Sequence, residues 1–191
     1  MQPAEIQREI NKIVSVLNDG GLILYPTDTI WGIGCDATND VAVKRLFQLK
    51  NRPDSKAMIS LIDSVETLKN YLSFFPEEAE SQISGSDSPL TIIYDEPRNI
   101  SDALLAADGS AAFRIPRSGF VSSLCKVFGK PIVSTSANLS GTPAPKSFDE
   151  IEKQVIEGVD YCCEYGRDLT GNTPSTILKI GNSGEIKIIR K

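Results

Sequence analysis

The chain has 191 residues, a net charge of −5 and a sequence of which 40% is hydrophobic and 24% charged. Those are ordinary globular values, and a chain of this length buries roughly 70% of its unfolded surface without staples. The count of zero histidines excludes Ser-His-Asp and Cys-His catalysis, histidine metal sites and imidazole acid–base steps.

Along the chain, Ile6, Ile10, Ile13 and Leu17 recur at helical spacing, and Asn18-Asp19-Gly20-Gly21 stops that helix. Leu22 to Tyr25 reads as a buried strand ended by Pro26. Asn39 caps a helix carrying Val43, Leu46, Phe47 and Leu49 inward, closed by Pro53. A strand over 59–62 and a helix over 65–72 follow, then strands over 90–94 and 111–115 flanking a short helical stretch, 100–106. A helix over 120–128 leads to a short strand, 131–133, and Ser147-Phe148-Asp149-Glu150 is a capping box opening a helix to Glu157. Segments 175–180 and 185–189 form a hairpin around Gly181-Asn182-Ser183-Gly184. The interleaving predicts one α/β domain over 1–191, with a mixed sheet.

No apolar run reaches the roughly 20 residues of a membrane helix, and the N-terminus lacks a signal-peptide layout, so the expected location is cytoplasmic. Cys35, Cys125, Cys162 and Cys163 show no CxxC spacing and are expected to be free thiols. The acidic balance argues against an extended nucleic-acid footprint, while leaving room for a local basic patch.

Chemistry is expected at element ends. Pro26-Thr27-Asp28-Thr29 followed by Trp31-Gly32-Ile33-Gly34 offers hydroxyls and close backbone approach, or else a turn whose Thr and Asp satisfy themselves. Lys50, Arg52 and Lys56 around Pro53 either converge on an anion or form a solvated helix end. Ser134-Thr135-Ser136-Ala137-Asn138-Leu139-Ser140-Gly141 supplies many donors with little bulk, as a compact anion requires. Thr91, Arg114, Ser175 and Arg190 are individually weak candidates. No GxxxxGK[ST] or GxGxxG occurs, so any ATP is held in another way.

In that order, from the Pro26-Thr27-Asp28-Thr29 loop to Arg190, these segments resemble the YrdC-like family, the threonylcarbamoyl-AMP synthases of tRNA modification. Lys50-x-Arg52 and Ser134-Thr135-Ser136-Ala137-Asn138-x-Ser140-Gly141 carry the resemblance most specifically. It implies a twisted open sheet with flanking helices and a concave ligand cavity. It also implies synthesis of threonylcarbamoyl-AMP and pyrophosphate from L-threonine, bicarbonate and ATP with Mg²⁺.

Carried over by position, the resemblance gives Lys50 and Arg52 catalytic roles. Thr29, Arg52, Ser136 and Ser175 would bind threonine. Lys50, Arg52, Lys56, Thr91, Arg114, Ser134, Asn138 and Arg190 would bind the nucleotide. The implied partners are downstream tRNA threonylcarbamoyl-transferase proteins and, as a candidate, tRNA itself. The chain departs from the family at Ala57-Met58, Leu61, Asp87-Ser88-Pro89 and Lys146. The competing readings are a non-catalytic double-stranded RNA or tRNA-binding module, an inactive paralogue of the same fold, and a carbamoyl-phosphate-using transferase.

Overall fold

The computed structural model describes residues 2–51, 58–170 and 174–191. The first helix, α1 (Pro3–Asn18), buries Ile10, Ile13 and Leu17 along the predicted stripe. It is followed by β1 (Ile23–Pro26) and β2 (Trp31–Asp36), which pair antiparallel. The second helix, α2 (Asp40–Leu49), begins where Asn39 Oδ1 accepts the amides of Val41 (3.0 Å) and Ala42 (3.1 Å), the predicted cap. It ends at Leu49, with Lys50 as its C-cap; Pro53, expected to close it, lies outside the described residues.

Next come β3 (Ile59–Leu61), α3 (Val65–Lys69), α4 (Glu77–Gly85), β4 (Leu90–Tyr94) and β5 (Ala111–Arg114). Only one 3₁₀ turn, Asp102–Leu104, stands in the stretch expected to be helical between β4 and β5. Helix α5 (Gly119–Phe128) is stopped by Gly129 at φ 71° and leads into β6 (Ile132–Ser136). The expected helix from Ser147 is absent. Ser147 makes no side-chain cap, Glu150 instead accepts the Lys146 amide at 2.7 Å, and a 3₁₀ turn there precedes a separate α6 (Lys153–Gly158). The chain closes with β7 (Tyr161–Cys162), β8 (Thr176–Ile180) and β9 (Ile186–Arg190).

Among the described residues, these strands make one sheet in the order β7-β1-β2-β6-β3-β5-β4-β8-β9. It is mixed well beyond the terminal hairpin: β1–β7, β3–β5 and β4–β8 are parallel and the other neighbours antiparallel. The β8–β9 register slips once, so that Leu178 faces Ile188 while Ile177 faces Arg190. Two apolar cores fill the space between sheet and helices. The larger joins α1, α2 and α5 to β1, β2 and β6, and the smaller joins α3 and α4 to β4 and β5, with Ile100 packed against both.

All four cysteines are free thiols. No helix among the described residues is long and apolar enough to cross a membrane.

Candidate functional site

The floor of the site is the β2–β6 ladder, in which Gly32 faces Ser136 and Gly34 faces Ser134. Glycine is what the approach requires. A Cβ on Gly34 would stand 2.5 Å from the Val133 carbonyl and 2.9 Å from the Tyr25 ring. One on Gly32 would meet Ser134 Oγ at 3.2 Å and the Thr135 carbonyl at 3.3 Å. With hydrogen there instead, the hydroxyl-bearing strand lies flat beside its neighbour and turns its polar atoms to the cleft.

The turn between β1 and β2 draws on both readings of its sequence. Thr27 ties the turn itself: Oγ1 accepts from the amides of Thr29 and Ile30, each at 3.1 Å, and donates to the Ile30 carbonyl at 2.6 Å. Asp28 and Thr29 reach outward from that fixed backbone, with Thr29 Oγ1 also hydrogen-bonded to Thr27 Oγ1 at 2.9 Å. Asp28 Oδ1 accepts from Arg114 Nη2 at 2.9 Å, and Thr29 Oγ1 accepts from Arg114 Nη1 at 3.3 Å. Arg114 is only 5% exposed, and its Nε finds no partner among the described residues. A buried guanidinium with an unmet donor is strongly poised for an anion.

The opposite wall comes from the terminal hairpin. Arg190 donates from Nη2 (2.8 Å) and Nε (3.2 Å) to the carbonyl of Ser175, fixing the entry to β8. Ser175 Oγ shares a hydrogen bond of 2.8 Å with Thr91 Oγ1 inside the sheet. Between the walls is a cavity of about 370 Å³. Of the residues singled out in the sequence, Thr29, Arg114, Ser134, Ser136, Ser175 and Arg190 line it.

Lys50, Asn138 and Thr91 stand behind that wall. The Lys50 side chain is buried, and its Nζ donates to the carbonyls of Ser136 and of Asn138, the latter at 2.6 Å. The Lys50 carbonyl accepts the Ser140 amide at 2.9 Å, so the end of α2 and the Ser134–Ser140 segment are tied at two levels. Asn138 Nδ2 donates to the Thr142 carbonyl at 2.6 Å, leaving Oδ1 buried without a partner. Arg52 and Lys56 lie outside the described residues.

The sequence reading did not single out the ion pair of Asp28 with Arg114. No local signal joins residues 86 apart in the chain; only the pairing of the strands does so. Burial pushes the Tyr25 hydroxyl and the Cys125 thiol beneath the floor upward, the latter to about 12, so neither is a source of anionic charge near neutrality.

The described cleft wall therefore carries two arginines and no carboxylate, although the chain as a whole is acidic. Its other polar groups are hydroxyls. Such a surface binds an anion through fixed cations and small donors, and it orients rather than exchanges protons.

Comparison with known proteins agrees with this geometry. The family profile Sua5/YciO/YrdC, described as telomere recombination, matches residues 15–191. The chain is 37% identical over 153 residues to the threonylcarbamoyl-AMP synthase of Escherichia coli strain K12, covering 78% of this chain and 80% of that protein. It superposes on P. abyssi Sua5 complexed with L-threonine with a TM-score of 0.79 at 26% identity, covering 90% of this chain and 50% of that one. The H234A/Y235A form of the same protein gives a TM-score of 0.83 at 26% identity over 95% of this chain and 55% of that one. The chain thus spans about half the length of those Sua5 chains. Escherichia coli YciO shares the fold, with a TM-score of 0.81 at 24% identity over 97% of this chain and 89% of that one. With the profile covering nearly all of its length, the chain belongs to the Sua5/YciO/YrdC family.

Proposed function

We propose that this chain is a threonylcarbamoyl-AMP synthase, joining L-threonine, bicarbonate and ATP with release of pyrophosphate, for threonylcarbamoyladenosine modification of tRNA. The observation that carries the reading is the cleft wall with two arginines, three hydroxyl-bearing strand residues and no carboxylate, in a histidine-free chain. It is supported by 37% identity to a protein of that name and by the fold shared with a Sua5 structure complexed with L-threonine.

The chemistry suits such a wall. The threonine nitrogen bonds to the bicarbonate carbon, water leaves, and the surplus protons pass to solvent. A carbamate oxygen then attacks the α-phosphorus of ATP, and the bond to the bridging oxygen breaks with pyrophosphate as leaving group. Both steps need alignment and neutralised charge more than a proton shuttle. Arg114, held by Asp28, faces the threonine carboxylate or the phosphates, with Thr29, Ser136 and Ser175 on the amino acid. Arg190 from the opposite wall and Ser134 from the floor serve the nucleotide, and Thr91 supports Ser175 from behind. Lys50 sets the carbonyls of Ser136 and Asn138, while Arg52 and Lys56 complete the phosphate side. Mg²⁺ enters with the phosphates of ATP, as part of the substrate. Downstream transferase proteins receive the product, with tRNA as the final acceptor.

The reading is tested by pyrophosphate release from ATP in bicarbonate buffer, comparing threonine, serine and no amino acid. Threonine-dependent release, with an adenylate of the expected mass, is the predicted result. No release from folded protein in any arm would reject it, and tight RNA binding by that inactive protein would replace it with a binding module.

A further inference from the structure

The face of the sheet opposite the cleft holds a second cavity, of about 220 Å³. Strand alternation separates the two. At the end of β5, Arg114 turns to the cleft, whereas Phe113 on the strand and Ile115 just past it turn to the back. On β4, Thr91 points to the front, and Ile92 and Tyr94 point behind. The back cavity is roofed by Leu68 of α3 and Ile83 of α4. The roof is light, since Ala79 alone among the α4 residues is buried.

Protein interiors leave few voids larger than a water molecule, and an apolar one stays dry until an apolar group enters. The walls here are aliphatic and aromatic, but the mouth is charged. Asp87, Ser88, Arg117 and Ser118 line it as exposed residues. Arg117 Nη2 donates to the Ile83 carbonyl at 2.8 Å, which fixes the guanidinium at the rim with its remaining N–H groups available. Asp87 is exposed and takes part in no ion pair among the described residues.

A fixed cation and a carboxylate flanking apolar space are the complement of a zwitterion with an apolar tail. We propose that this back pocket binds a free apolar α-amino acid of the leucine or phenylalanine class. Its side chain fills the cavity, its carboxylate meets Arg117 and its ammonium meets Asp87. The volume lies below the roughly 300 Å³ at which pockets for larger ligands begin, which matches a ligand of this size. Asp28 also lines this pocket while holding Arg114 in the cleft, so occupancy bears on the cleft through one carboxylate. Any such coupling is reciprocal. The binding proposal itself stands apart from the synthase reading.

Titration calorimetry on the full chain tests it, with phenylalanine, leucine and glycine as ligands. The expected result is one site for phenylalanine or leucine with a dissociation constant below about 1 mM and none for glycine. That binding should persist with threonine and a non-hydrolysable ATP analogue at saturation. Arg117→Glu, at an exposed position, should weaken it at least tenfold, with threonine binding unchanged. Ile83→Trp, which fills the cavity, should abolish it. No heat from either apolar amino acid, displacement by threonine, or indifference to Arg117→Glu would each overturn the proposal; the Arg117 variant decides alone if Ile83→Trp does not fold.

Discussion

Arg114 is held by two acceptors that belong to one turn, and that turn is closed by Thr27 Oγ1 together with the Thr27 amide, which donates to the Ile30 carbonyl at 3.2 Å. Removing the carboxylate leaves a nearly buried guanidinium without its counter-charge. For Asp28→Ala we expect a loss of roughly 2–3 kcal/mol in urea unfolding, short of the roughly 3–5 kcal/mol of a fully buried pair because Asp28 is 21% exposed. Threonine-dependent turnover should fall at least tenfold in the same variant. Gly34→Ala tests the floor. Its Cβ has backbone oxygen at 2.5 Å, so the strands must part, costing about 1–3 kcal/mol and showing as a lower denaturation midpoint.

At the scale of elements, the join between β7 and the α2–β1 region depends on Asp160. Its carboxylate accepts the Leu22 amide at 2.7 Å and Arg45 Nη2 at 3.0 Å. Burial pushes this carboxyl upward, but the Leu22 amide and the Arg45 guanidinium outweigh it and hold the group below the ordinary carboxylate range. A folded-state value below the unfolded one, about 3.9, gives stability that is present above that pH and is lost as pH falls further. Asp160→Asn should therefore be less stable than the parent chain at pH 7, with the gap closing as the pH falls below about 4 in thermal melts.

The same scale shows what the sequence made legible. The α1 stripe, the Asn39 cap and the terminal hairpin were readable because periodicity and turn chemistry are local. Strand β2 was not: all six of its residues are buried, so alternation is lost, and its glycines read as loop. Helix α4 was missed because Glu77–Gly85 is polar and buries little but Ala79. The capping box at Ser147 failed because Glu150 found the Lys146 amide instead. Of the cleft, the hydroxyls of Ser134, Ser136 and Thr29 were readable, but Ser134–Ser136 were expected as a loop past a strand ending at 133 and instead lie within β6. The Asp28–Arg114 pair needed the sheet order to be known.

For the whole molecule, one sheet passes beneath both cores, and Ile100 packs against each. The two cores should melt together. Trp31 is the single tryptophan and lies in the larger core, so its fluorescence follows that part alone. Far-ultraviolet circular dichroism follows all elements. Coincident urea midpoints are expected, and separated ones would mean that the α3–α4 side unfolds on its own.

The slip in the last ladder has a consequence of parity. In unbroken pairing Ile189 would face Ile177, and Arg190 would fall opposite Thr176, on the side of the sheet away from the cleft. One supernumerary residue reverses this and delivers the guanidinium to the front. The terminal strand thus behaves like a reading frame, in which the count of residues matters more than their identity. Deleting Ile189 should therefore restore an unbroken ladder and keep Arg190 opposite Ile177 and on Ser175. Inserting one alanine after Ile189 should instead carry Arg190 opposite Thr176 and away from the cleft, and Ile189→Val should be silent.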